Sequence, residues 1–522
     1  MANKNLFKSA SSLPATAPVA ETVNRAGGAA YLLADEAALA QFAMTGTFNN
    51  TFYASSETQL TEAMALANKV RPEFLAKLAV YSREKGLMKD MPAMLLAVLC
   101  KRDIELFKKT FSRVVDNGKM LRNFMQIVRS GVVGRKSFGS APKRAIRKWI
   151  EARTDEQLFH DSVGNDPAMA DIIKMVHPRP RDEERARLYA YLIGKTPEAM
   201  PKAVAEFEAF KKESKGDRTV PNVPFQMLTA LELSDKEWTE IAKTARWQMT
   251  RMNLNTFLRH GVLKDEKMVK MLAERLVSEK DIKGAKAFPY QLMAAYLNVD
   301  GEMPRALSNA LQDALEVATQ NVPRYKGKVY VCVDISGSMS SAITGNRPGS
   351  TSKVRCVEVA GLIASCVLRN CDNAEVIPFH TSAVVANDLN ARDSVMTNAQ
   401  KIFNRPSGGT DCSCALKLLN AKKAQGDLVI YVSDNESWVS GSYAGRGTAM
   451  QQAWLDFKAR NRNAKLVCID LQASSTCQAK NSVDTLNVGG FSDQVFEVIQ
   501  NFLESTGNPD FWTKKIESEV TL

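Results

Sequence analysis

KVYVCVDISGSMS, residues 328–340, passes from a short β-branched apolar run into a polar turn. A run of that length, rich in Val and ending at an aspartate, reads as a fully buried strand followed by a loop. Three further runs of the same kind follow it: AEVIPFH (374–380), DLVIYVSD (427–434) and AKLVCIDLQ (464–472). Between them lie segments with helical spacing of apolar residues, SKVRCVEVAGLIASCVLRN (352–370) and TDCSCALKLLNAKKAQ (410–425). Near-continuous apolar strands alternating with helices predict an α/β, Rossmann-like domain with a mainly parallel sheet covered on both faces.

In such a sheet ligands bind beyond the carboxyl ends of the strands, where loops converge at a change in strand order. Three polar clusters fall at these ends: DISGSMS (334–340), GGTDC (408–412) and SDNES (433–437). They offer Asp334, Ser336 and Ser338, then Thr410, then Asp434. Hydroxyl oxygens with few carboxylates suit Mg²⁺, which prefers hard oxygen ligands and keeps several waters. The three hydroxyls would ligate directly, and the two aspartates would neutralise charge and hold metal-bound waters. The bland alternative is a Ser-rich turn beside unrelated Asp and Thr caps.

A D-x-S-x-S loop, a distant Thr and a later Asp, in that order, resemble the metal-ion-dependent adhesion site (MIDAS) of von Willebrand factor A domains. The resemblance implies a bound divalent cation whose last coordination position is open to an outside carboxylate. Asn435 and Glu436 stand where adhesive members commonly have small residues, and Glu436 is placed to crowd that position.

Upstream the period changes. From about Glu57 to Thr319 apolar residues recur at three and four, broken every 10 to 20 residues by Gly, Pro or Asp, which predicts antiparallel helices. Pro72, Pro92 and Pro142 mark helix starts, and further helices are expected over 155–163, 182–193, 196–212, 235–245, 264–279 and 302–319. Stacked helix pairs, an α-solenoid, accommodate this pattern. No repeat length aligns, which leaves an irregular bundle as the alternative. The organisation expected is a flexible arm over 1–25, a helical domain over 26–322 and the α/β domain over 323–522.

Sixty-nine Lys and Arg against 57 Asp and Glu give a net charge of +12, which favours a polyanionic partner. Residues 101–150 hold fourteen of the basic side chains and three acids, Asp103, Glu105 and Asp116. In GRKSFGSAPKRAIRKWIEAR a helix from about Pro142 carries Lys143, Arg144, Arg147 and Lys148 on one face and Ile146, Trp149 and Ile150 on the other. Arg135 and Lys136 precede it in a glycine-rich stretch whose Gly131, Gly134 and Gly139 allow close approach to a strand of nucleic acid. A solvated cationic face is the competing account, and composition does not separate RNA from DNA.

His177, Arg179 and Arg181 form a second candidate contact, although a histidine before Pro178 also suits a helix cap. RWQMTRMNLNTFLRHG contributes Arg246, Arg251, Arg259 and His260, which either line a path for single strands or serve as helix surface and caps.

Nine cysteines without a C-x-x-C pair and only four histidines argue against a zinc cluster and for reduced, buried thiols, hence a cytoplasmic protein. No apolar run approaches the roughly 20 residues of a membrane span, and no Walker loop, HExxH or G-x-S-x-G motif is present. With Asp334 and Asp434 as the only evident carboxylates, a two-metal nuclease or phosphatase is not expected. The remaining alternative is a cation-dependent protein-adhesion module with an incidental basic surface.

Taken together, GRKSFGSAPKRAIRKW, then DIIKMVHPRP, then the DISGSMS, GGTDC and SDNES domain resemble the TROVE-domain family typified by the Ro autoantigen. That resemblance implies a non-catalytic ribonucleoprotein scaffold whose HEAT-like helical repeats close into a ring with the von Willebrand A domain, and the chain is expected to be a monomer. It implies binding of small Y RNAs and of single-stranded 3′ ends of misfolded RNAs, with bacterial members serving as adaptors for a 3′ to 5′ exoribonuclease. His177 matches the family histidine associated with Y RNA contact. The family's basic residues before it are replaced here by FHDSVGNDPAM (159–169).

Overall fold

The structure, a computed structural model, describes residues 16–214, 218–285, 289–320, 322–346, 354–439, 446–492 and 494–522. Two compact units emerge. One comprises residues 1–66, 288–294 and 318–515; the other comprises 67–287, 295–317 and 516–522.

The first unit holds the α/β domain. Its strands are β1 (Thr22–Val23), β2 (Ala29–Leu32), β3 (Val329–Asp334), β4 (Ala374–Phe379), β5 (Leu428–Ser433), β6 (Lys465–Asp470), β7 (Thr476–Cys477) and β8 (Thr485–Gly489). The main sheet has the order β4-β3-β5-β6-β8 and every pairing in it is parallel. β3 and β5 are buried at every residue, which is why their sequences are unbroken apolar runs rather than alternating ones. The chain leaves β3 for β4 on one side and returns to β5 on the other, so the strand order reverses at β3. In register, Val333 faces Val432 and Ser433 faces Asp470. The carboxyl ends of β3, β5 and β6 are therefore level, and the loops that follow them start side by side.

The expected boundaries shift at the N-terminus. Residues 1–15 of the arm lie outside the described residues, but Thr22–Val23 form β1, and β2 joins β7 in an antiparallel pair, with Tyr31 opposite Cys477. The helix Asp35–Thr45 is buried along most of its length. Residues read from the sequence as arm and helical domain thus belong to the α/β unit. A two-residue pairing between segments so distant in the chain leaves no local periodicity to detect.

The second unit is helical, and among the described residues from 67 to 285 it contains no strand. Expected helices appear as Asp155–Asp161, Glu183–Leu192, Asp235–Thr244 and Glu266–Leu276. The helix expected over 196–212 starts at Lys202, because Pro201 caps it in an extended conformation. Pro72 occupies the first turn of Pro72–Glu84, and the helix carrying Pro142 starts two residues earlier, at Ser140.

Arg185 is buried in this unit and pairs with Asp155 at 2.5 Å while donating to the Ile150 and Arg153 carbonyls. A guanidinium 1% exposed has no water to fall back on. Asp155→Ala is therefore expected to cost about 3 kcal/mol or more, read as a lowered thermal midpoint by circular dichroism, whereas a surface pair such as Lys108–Glu105 should cost under about 1 kcal/mol.

None of the nine cysteines is paired, and eight are buried. Burial pushes the Cys356 thiol up to about 12 and Cys332 higher still, which keeps both protonated and unreactive. Among the described residues no helix is long and apolar enough to cross a membrane.

Candidate cation site and nucleic-acid interface

The polar clusters meet at the level strand ends of the α/β unit. Asp334, the last residue of β3, accepts from the Ser336 amide at 2.8 Å and, through its other oxygen, from the Ser433 hydroxyl at 2.6 Å. The Ser336 and Ser338 hydroxyls lie 3.3 Å apart. Asp334, Ser336, Ser338, Thr410 and Asp434 are all buried. The Thr410 carbonyl accepts from the Trp438 and Val439 amides, both at 3.1 Å, which ties the GGTDC loop to the loop after β5. Asn435 makes that turn in the left-handed region, φ 66°, a conformation that Asn tolerates better than most residues.

Two further buried carboxylates lie near these clusters, Glu436, which the sequence places beside the open position, and Asp470, which it does not single out. Asp470 ends β6 and Glu436 follows Asp434; they are 1% and 3% exposed. The repetition of VCVD (331–334) in VCID (467–470) was the available signal for Asp470.

These acids have few counter-charges. Burial, and behind it the Asp334 carboxylate, push Asp434 up to about 7. Burial and the Asp434 charge do the same to Glu436, about 7, against a smaller opposing pull from Arg25. Asp470 is raised by burial and by the charges of Asp434 and Glu436, which the Gln41 amide at 2.9 Å offsets only in part.

One Asp434 oxygen is buried and has no hydrogen-bond partner among the described residues. A buried, unpartnered carboxylate oxygen, on a loop tied to the one that carries Thr410, is what a hard cation would satisfy. Among the described residues, no three His, Cys, Asp or Glu side chains converge as a metal site. Hydroxyls of Ser and Thr with the oxygens of Asp334 and Asp434 are hard donors of the kind a magnesium-like ion takes.

In the helical unit, the helix Ser140–Ala152 buries Pro142, Ile146, Trp149 and Ile150. Arg144 and Lys148 are exposed and Lys143 and Arg147 half-buried. The Trp149 indole donates to the Val115 carbonyl at 2.6 Å and fixes the helix rotation. Lys136, Lys143, Arg144 and Lys148 make no ion pair or hydrogen bond among the described residues. Lys136 and Lys143 line one cleft of about 730 Å³ together with Arg129, which the candidate set omitted, and with Asp166 and Asp171 on its wall. The Asp171 carboxylate is engaged by the Ala168 amide at 3.0 Å.

Two of the candidates have structural employment. Arg135 donates to the carbonyls of Ser137 at 2.7 Å, Phe138 at 2.6 Å and Cys100 at 3.1 Å, so its guanidinium shapes the glycine-rich loop. Arg147 donates to the Val176 carbonyl at 2.8 Å, at the end of the helix Met169–Val176. We expect Arg135→Ala to lower stability by about 2 kcal/mol, from lost charge-assisted hydrogen bonds, and Arg135→Lys not to rescue it because a single ammonium cannot span three carbonyls. A thermal midpoint equal to wild type in either variant would contradict this.

His177 adopts φ 48° and ends its helix, with its amide bonded to the Ile173 carbonyl at 2.9 Å. Its backbone is the cap and its ring is left exposed. Arg179 is exposed and its amide is held by Glu151 at 3.0 Å. Arg246, Arg251 and His260 sit on or beside a separate helix, Trp247–Arg259, and line neither the cleft above nor its neighbour around Arg122 and His160. The His260 ring is stacked on Trp238, centroids 4.3 Å apart at 12°, and so is spent on helix packing. Arg251 is half-buried and reaches Gln248 at 3.4 Å.

Comparison with known proteins agrees with the resemblance read from the motifs. Residues 328–503 match the family model of the Ro60 vWA domain. A protein of Deinococcus radiodurans named RNA-binding protein RO60 is 24% identical, with 92% of this chain and 94% of that protein aligned. A Caenorhabditis elegans protein of the same name is 22% identical over 46% of this chain and 37% of its own length. The crystal structure of the Deinococcus radiodurans Ro (RSR) protein superposes with a TM-score of 0.64 at 21% identity, covering 93% of this chain and all of that one. Helical repeats joined to a von Willebrand A domain are the architecture of this chain.

Proposed function

We propose that this chain, similar to Ro proteins along nearly its whole length, is a non-catalytic RNA-binding scaffold. One observation carries the reading: Lys136, Lys143, Arg144 and Lys148 project from one glycine loop and one helix face, and none of them is neutralised by a bond among the described residues. Unpaired cations beside a helix attract phosphates through counterion release, and the adjacent cleft offers Arg129, Lys136 and Lys143 to the phosphates of an RNA strand.

On this reading the ligands are small structured RNAs of the Y RNA type and the single-stranded 3′ ends of misfolded RNAs. The partner reached through them is a 3′ to 5′ exoribonuclease. His177 and Arg179, exposed at the end of a helix fastened by Arg147, form a second contact for phosphate. The cation site, holding a magnesium-like ion through Ser336, Ser338 and Thr410 with Asp334 and Asp434 behind, is a separate feature in the other unit. A protein-adhesion role for it is the less favoured reading. Sequencing RNA crosslinked to the purified full chain tests the proposal. Enrichment of structured small RNAs with crosslinks mapping to residues 129–148 supports it, and crosslinks confined to other surfaces overturn it.

A further inference from the structure

The N-terminal segment covers the strand ends of its own unit at three places. Residues 24–28 lie on the loop after β5: the Asn24 amide donates to the Ser437 carbonyl at 2.7 Å and the Ala26 amide donates to Glu436 at 3.2 Å. Contact there is so close that a Cβ on Gly28 would fall 1.9 Å from the Ser437 oxygen. From the helix Asp35–Thr45, Gln41 reaches Asp470 at the end of β6.

Residues 47–53 then run along the loop after β3. Thr47 and Asn49 both donate to the Thr344 carbonyl at 2.7 Å, and the Asn346 amide donates to the Asn50 carbonyl at 2.7 Å. Burial, and behind it the Asp434 charge, push the Tyr53 hydroxyl at the end of this stretch up to about 12, against an opposing pull from the nearby Ser338 side chain. Each loop that carries a candidate cation ligand after β3 or β5 is thus fastened to the N-terminal segment.

We propose that this segment is the closing wall of the cation site, with Tyr53 at Ser338 standing where an outside acidic group would enter and Glu436 anchoring the wall at Ala26. The inference rests on the cation reading of the site and extends it. The cation and residues 24–53 stabilise one another, because a ligand that orders the 334–338 and 434–438 loops also orders whatever is bonded to them, and such coupling is reciprocal. Tyr53 and Glu436 act as positioning residues. The acidic side chain of a partner is excluded, so the ion serves to hold the chain's own N-terminal segment and not to capture another protein.

Hydrogen exchange on the full chain, in EDTA and in Mn²⁺, tests this alongside Mn²⁺ titration followed by electron paramagnetic resonance. Wild type is expected to bind Mn²⁺ and to gain at least about tenfold protection at amides of residues 24–53. Tyr53→Phe and Glu436→Gln are both expected to weaken Mn²⁺ about tenfold and to lose most of that gain. Their thermal midpoints in EDTA should stay near wild type, which distinguishes uncoupling from misfolding. Mn²⁺ binding at unchanged affinity in both variants, or without added protection of 24–53, overturns the closing wall and leaves the cation reading standing. Failure of wild type to bind Mn²⁺ overturns both.

Discussion

Reversing four charges, Lys136→Glu, Lys143→Glu, Arg144→Glu and Lys148→Glu, is expected to weaken RNA binding by about a hundredfold or more at near-physiological salt, with the fold intact. Each phosphate contact on a single strand contributes roughly 0.7 to the slope of log affinity against log salt. Removing four should lower that slope by roughly 3, and the introduced carboxylates add repulsion. The choice of residues follows from the geometry: Arg135 and Arg147 are excluded because their guanidinium groups hold backbone carbonyls, so changing them confounds folding with binding. Filter binding across a salt series, with circular dichroism to confirm helix content, is the measurement. Affinity and slope equal to wild type would remove this helix from the interface.

The same contrast shows what could be read from residues alone. The basic stripe of Ser140–Ala152 was legible because a helix imposes its own period: Ile146, Trp149 and Ile150 inward force Arg144 and Lys148 outward whatever the rest of the chain does. Asp334 and Asp434 were legible for a similar reason, since each closes an apolar run, whereas Thr410 lies in a loop between two helices. What escaped depends on partners far away in sequence. Arg135 looks like any loop arginine until Cys100 and Phe138 present their carbonyls to it. His260 looks like a pore residue until Trp238 stacks on it. The place of residues 16–66 in the α/β unit depends on β2 meeting β7 and on Gln41 meeting Asp470, contacts for which no periodicity in the N-terminal sequence prepares.

Carboxylate number at the cation site bears on chemistry as well. Asp334, Asp434, Glu436 and Asp470 are four buried acids, enough in number for a two-ion hydrolase, which typically spaces its metals by about 3.5–4 Å with bridging carboxylates. Their bonding argues for a different use. Asp470 is held by Gln41, Glu436 by the Ala26 amide, and Asp334 by Ser336 and Ser433. Only Asp434 keeps an unpartnered buried oxygen among these four, within the described residues. One uncommitted carboxylate oxygen suits a single ion that keeps its waters.

Asp334→Ala should therefore abolish measurable Mg²⁺ or Mn²⁺ binding, a loss of about a hundredfold or more in affinity, because it removes the charge that the Ser336 turn is built around. In wild type, cation at a hundredfold excess over its Kd stabilises the folded state by about 2.7 kcal/mol, so EDTA should lower the thermal midpoint, and the variant should show no such response. Losing the acceptor for the Ser336 amide and the Ser433 hydroxyl adds a cost of about 1–3 kcal/mol of its own. Asp334→Asn separates the two effects: its amide oxygen still accepts one of these bonds while the charge is gone, so it should retain more of the EDTA-state stability and still lose the ion. RNA affinity should stay within about twofold of wild type in both variants, since substitutions without shared partners act independently, and the cation ligands and the basic helix belong to different compact units. Parallel loss of cation and RNA binding in a folded Asp334→Asn chain would mean that the two ligands share one site, and the separation of roles argued above would be wrong.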